Sequence, residues 1–132
     1  MEFTMSVTQA WLKCENAEFN AQWEHGSGVV SAYGELDAAN ADQLAEYVGR
    51  CLTHCRWLTL DLTGLKFIGT AGFSALHRIN VTCSAADVRW ALVPSTAVSR
   101  LLRICDPDGV LPTVEPKRSA QDGLLQLIPE SS

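Results

Sequence analysis

Basic side chains never gather in this chain. The longest run is the Lys117-Arg118 pair, and 10 Lys and Arg stand against 15 Asp and Glu, a formal charge of −5. That balance leaves no electrostatic footprint for nucleic acid. No apolar run approaches the roughly 18–20 residues that span a bilayer. The amino-terminal stretch also lacks the basic region and apolar block of a signal peptide. The expectation is a cytoplasmic protein with neither nucleic acid nor membrane as a partner. Low-complexity segments and internal repeats are missing too, and 47% hydrophobic with 19% charged residues are ordinary globular values. At 132 residues the chain fits one domain.

Catalytic groupings are equally scarce. His25, His54 and His77 lie apart, none beside a nucleophile or an evident carboxylate partner. "GTAG" at 69–72 lacks the Lys and the spacing of a phosphate-binding P-loop. The chain therefore reads as a non-enzyme without a cofactor. Its five cysteines are an odd number at irregular spacing, which suits reduced thiols in a core. Cys51, His54 and Cys55 share one helical face, but the two cysteines continue an apolar stripe and no second ligand pair follows, so no metal is expected. Cys83 and Cys105, near the ends of neighbouring helices, are likewise read as thiols rather than a bridge.

What is present is alternation of strand and helix patterns. Residues 1–15 carry little pattern and read as an amino-terminal extension, with the domain proper over 16–129. A hairpin is expected from 18–25 and 29–33, because Phe19, Ala21 and Trp23 alternate ahead of turn glycines at 26–28. Ala41, Leu44, Val48, Cys51, Leu52 and Cys55 then recur at helical spacing, with Asn40 as N-cap and Gln43 in capping-box position. That places Asp37 in the loop ahead of the helix. "WLTLDL" at 57–62 reads as a buried strand, prolonged by "LKFI" after a kink at Thr63-Gly64. A helix over 70–80 burying Phe73, Leu76 and Ile79, a strand over 88–93, and a helix capped by Ser95 follow. "VLPTVE" reads as a short edge strand, because Pro112 lacks an N–H, and a last helix falls over 119–128. Strands that alternate with helices imply a largely parallel sheet with an antiparallel hairpin at one edge.

The stretch "FIGTAGFSAL", residues 67–76, sets a hydroxyl between two glycines at a strand-to-helix seam. Two readings stand. Either Thr70 is an N-cap accepting from Gly72 or Phe73 N–H, or its hydroxyl is displayed for a partner or a kinase. Asp37 likewise is either an ordinary turn carboxylate or part of a partner surface. Both residues follow strand ends, where sites gather in open α/β sheets.

"YGELDAANADQL", then "LTLDLTGLKFIGTAGFSAL", then "VPSTAVSRLLRICDPDGVLP" together resemble the STAS domain of bacterial anti-sigma factor antagonists, over residues 17 to 127. The resemblance implies a single α/β domain whose four- to five-stranded mixed sheet has its helices packed mainly on one face. It implies a protein that binds an anti-sigma factor of the ATP-binding serine/threonine kinase type and so frees a sigma factor. It puts Thr70 at the phosphoacceptor position, and Asp37, Gly69, Thr70, Ala71, Gly72 and Phe73 in the partner-binding surface. Gly69 stands where the family pattern has an acidic residue, and Phe73-Ser74 where it has Leu-Gly. The alternatives are a module that is not phosphorylated and binds constitutively as a scaffold, or a small-molecule or nucleotide sensor.

Overall fold

The computed structural model describes residues 8–114. Five strands form one sheet in the order β1-β2-β3-β4-β5: β1 (Thr8–Cys14), β2 (Ala17–Glu24), β3 (Ser27–Leu36), β4 (Trp57–Ile68) and β5 (Arg89–Val93). β1/β2 and β2/β3 are antiparallel, while β3/β4 and β4/β5 are parallel. Helix α1 (Ala41–Cys51), prolonged by a 3-10 turn over Leu52–His54, crosses from β3 to β4. Helix α2 (Thr70–Ala85) crosses from β4 to β5, and α3 (Thr96–Cys105) follows β5. Parallel crossovers in one direction follow the right-handed rule and so set α1 and α2 on one side of the sheet, and α3 shares their core.

Period-two patterning decides which face they cover. Phe19 and Ala21 of β2, Val30 and Ala32 of β3, and Leu58, Leu60 and Leu62 of β4 are buried beneath the helices. The opposite face carries Trp11, Val29, Tyr33 and Trp57, all exposed. The helices answer with Leu44, Val48 and Cys51 of α1, Leu76, Ile79 and Cys83 of α2, and Val98 and Leu102 of α3.

The fold class agrees with the expectation; several details do not. Residues 8–14 are not a patternless extension but β1, with Leu12 opposite Phe19 and Cys14 opposite Ala17. Its pattern is masked because Trp11, its largest side chain, points to the uncovered face. The hairpin turn is His25-Gly26, at φ 53 and 84, and Gly28 lies inside β3. α2 runs five residues beyond 80, carried by buried Cys83. Phe73 is only half-buried. β4 is continuous through Thr63-Gly64, and the kink appears instead as a register shift against β3, where the Tyr33 ring lies over Gly64. Of "VLPTVE", the described residues 110–114 pair only through an isolated parallel bridge of Thr113 to Leu92; the Pro112 carbonyl accepts from Leu92 N–H. The helix expected over 119–128 lies outside the described residues.

Asn40 occupies the N-cap position of α1, yet its side chain caps nothing. Its Oδ1 accepts from Asp37 N–H at 3.0 Å, and its Nδ2 donates to the carbonyls of Glu15 and Glu35, each at 2.9 Å. Buried completely, it fastens the turn between β1 and β2 to the end of β3. The capping-box reading fails because three backbone groups from the surrounding turns and strand end take up the amide.

Candidate functional site

β3 and β4 run parallel and finish together, with Leu36 in register with Ile68. The loops that follow are therefore adjacent, and Gly69 N–H donates to the Leu36 carbonyl at 2.9 Å, joining one to the other. Asp37 and Thr70, 33 residues apart in sequence, emerge from these two loops at one end of the sheet.

The two glycines of the seam do different work, and neither makes a turn. Gly69 is extended, at φ −95 and ψ 179, and holds the N-cap position of α2. Its carbonyl accepts from Gly72 N–H at 2.9 Å and Phe73 N–H at 3.2 Å. A Cβ added there would meet only the Phe67 ring, at 3.6 Å, so the position tolerates a side chain. Gly72 does not. A Cβ there would come within 2.6 Å of Ile68 Cγ1 and 3.1 Å of Leu36 Cδ2. The first turn of α2 lies directly on the strand ends because residue 72 has no side chain.

Thr70 is consequently the first residue of the helix and not its cap, so the N-cap reading is set aside. It is exposed, and among the described residues its hydroxyl has no hydrogen-bond partner. The N–H groups of Thr70 and Ala71 also find no acceptor there, as is usual for an uncapped helix start. Asp37 is half-buried and shapes its loop: Oδ1 accepts from Ala39 N–H at 3.0 Å, and its carbonyl accepts from Asn40 and Ala41 N–H. Ala71 and Phe73 are half-buried beside Thr70, Phe73 making an edge-on contact with His77 at 5.5 Å.

Lys66 and Phe67 stand just ahead of Gly69 in the chain, but nothing local to the sequence brings Arg100 to this end. Phe67 is 50% exposed just ahead of Gly69. Lys66 and Arg100 line one cleft of about 530 Å³ beside the start of α3. Phe67 alone left a trace in the sequence, as an aromatic that the register of β4 turns away from the core.

The sites considered elsewhere resolve differently. Cys51 and Cys55 are buried while His54 turns outward to stack on Trp23 at 4.8 Å, and among the described residues no cluster suits a metal. Burial first, then neighbouring thiols, pushes the Cys51 thiol up to about 11 and Cys83 up to about 12. Such thiols are protonated near neutrality and poorly reactive. Cys83 and Cys105 are both free. A cleft of about 570 Å³ opens along Trp23–His25 and Val29, by the hairpin turn at the far end of the sheet from Thr70.

The STAS domain family description matches residues 18–120. Over 82 residues the chain is 42% identical to Osmosensory protein A of Mycobacterium tuberculosis (strain ATCC 25618 / H37Rv), covering 62% of this chain and 52% of that protein. The chain thus spans about half the length of the curated relative it matches. Among solved structures, an anti-sigma factor antagonist from Mycobacterium paratuberculosis is similar with a TM-score of 0.62 at 22% identity, covering 95% of this chain and 97% of that one. The anti-sigma factor antagonist SpoIIAA in its unphosphorylated form is similar with a TM-score of 0.63 at 15% identity, covering 85% and 99%. At these identities the structural likeness establishes the fold.

Proposed function

The chain belongs to the STAS domain family, and from that premise we propose that it is an anti-sigma factor antagonist. It binds an anti-sigma factor through the loops carrying Asp37 and Thr70 and the first turn of α2, and so releases a sigma factor for transcription. The observation that carries this reading is the displayed Thr70 hydroxyl at the start of α2, beside the Asp37 loop. The protein works by association rather than by catalysis, in the cytoplasm, where sigma factors act.

The site also supports control by phosphorylation. A phosphate on Thr70 brings about −1.5 to −2 charges. The free N–H groups of Thr70 and Ala71 and the positive end of the α2 dipole accept that charge at a gain of roughly 0.3–1 kcal/mol, so the domain carries it without unfolding. A docked partner has no such compensation and is expelled. One structural neighbour bears the description "in its unphosphorylated form", in keeping with a fold that exists in two phosphorylation states.

A specific observation favours a second reading. Gly69 removes the acidic residue of the family pattern although the backbone there has room for it. Without that carboxylate the kinase loses a local contact, and the protein binds constitutively as a scaffold.

Incubation with the host's anti-sigma factor and ATP, followed by intact mass, separates the two. The switch adds one phosphate to wild type and none to Thr70→Ala. In gel filtration, Thr70→Glu loses the complex that wild type and Thr70→Ala retain. A complex without phosphate supports the scaffold; no complex under any nucleotide condition overturns both readings.

A further inference from the structure

Acidic side chains outnumber basic ones in this chain, but not everywhere on its surface. α2 and α3 contain no Asp or Glu at all. At the end of the sheet that displays Thr70, acidic side chains run from the end of β3 through the loop into the first turn of α1: Glu35, Asp37 and Asp42. On the other side of Thr70 the signs reverse. β4 overhangs β5, whose last paired residue is Val93 opposite Asp61, so its final stretch stands free of that neighbour. α3 begins against this overhang, and between them opens a cleft of about 530 Å³ lined by Lys66 and Arg100. Both side chains are exposed, and neither makes an ion pair among the described residues. Arg78, in contrast, is already engaged with Asp42 at 2.7 Å.

Distance ties the cleft to Thr70. Lys66 is four residues upstream, which puts their Cα atoms within about 14 Å even at full extension. Between them lies Phe67, half-exposed, its ring against Gly69. An aromatic anchor flanked by polar groups is the anatomy of a protein docking surface.

Resting on the antagonist reading, we propose that the Lys66–Arg100 cleft receives an acidic segment of the anti-sigma factor. The docking face is then bipolar, acidic at the Asp37 loop and basic at the cleft, with Phe67 and Thr70 at the seam. Two cations that line one cleft in an acidic protein, neither paired among the described residues, call for carboxylates from a partner, and the bipolar layout fixes the partner's orientation as well as its approach. A polyanion such as nucleic acid fits this face poorly, because the same backbone would run onto Glu35 and Asp37.

The test titrates the fluorescently labelled protein with the host's purified anti-sigma factor at several salt concentrations. Lys66→Glu/Arg100→Glu weakens binding by roughly tenfold or more and flattens its salt dependence. Lys66→Gln/Arg100→Gln gives a smaller loss in the same direction. Arg50→Glu/Arg56→Glu, at the far end of the molecule, makes the same change in net charge and shifts binding by less than about twofold. Thermal midpoints confirm that all variants fold. Equal effects of the two Glu pairs, or tighter binding by Lys66→Glu/Arg100→Glu, overturn the inference while the antagonist reading stands. Binding of a single-stranded DNA oligonucleotide that this variant abolishes also overturns it. Failure of the wild type to bind at all removes the antagonist reading itself.

Discussion

Asn40 carries three hydrogen bonds with one amide, to the backbone of Glu15, Glu35 and Asp37, in a site with no access to water. Asn40→Ala removes all three of these buried hydrogen bonds, and the cost is roughly 2–3 kcal/mol, read as a lower urea midpoint at unchanged slope. A loss under about 0.5 kcal/mol would show that the loop holds without it. The sequence located this residue at the start of α1, which is correct, and misjudged what it does there. Capping is inferred from spacing along one helix, whereas two of its acceptors belong to other strand ends. Thr70 and Gly69 repeat the lesson at one remove. A hydroxyl between glycines is legible, but its place as first helical residue rather than cap follows from Gly69 being held by Leu36 of a neighbouring strand.

Among the elements, β1 best separates what the sequence displays from what the fold needs. The alternation of β2, the apolar run of β4 and the stripes of α1 and α3 are all readable, because each buries one face against the core. β1 is an edge strand whose Trp11 faces solvent, so its period is obscured. Yet it pairs with β2 along its whole length and sets Leu12 and Cys14 against the core. Removal of residues 1–14 therefore lowers stability by about 2 kcal/mol, or ~5–10 °C in thermal midpoint, and leaves β2 as a bare edge prone to association. An unchanged midpoint and a monodisperse profile would return these residues to the status of an extension. The overrun of α2 has the same origin. Exposed Val81 interrupts the apolar stripe on paper, while Cys83 underneath holds the last turn in place.

For the whole molecule, the buried thiols make stability depend on alkaline pH. Burial raises the Cys83 thiol from 9.0 to about 12 and Cys51 to about 11, and burial also raises Tyr47. In the unfolded chain such thiols ionise near 9.0, so above that pH the unfolded state sheds protons that the folded state keeps. The stabilisation is complete below pH 9 and declines as pH rises toward about 12. The urea midpoint accordingly falls above pH 9, and falls less steeply in Cys83→Ala; parallel profiles for the two proteins would remove Cys83 as the cause.

From β2 to α3 the sequence by itself determined the kind and order of the elements, because apolar periodicity is written locally: two for strands that bury one face, near three and a half for helices. It determined the one-sided α/β plan as well, since strand–helix alternation with right-handed crossovers leaves few arrangements. Which residues meet was decided only by the tertiary structure. Leu36 beside Ile68, the Asp37 loop beside the start of α2, and Lys66 with Arg100 along one cleft depend on strand order, register and the overhang of β4. Those are set by packing between segments distant in the chain, and no local pattern encodes a neighbour that the chain must fold to acquire.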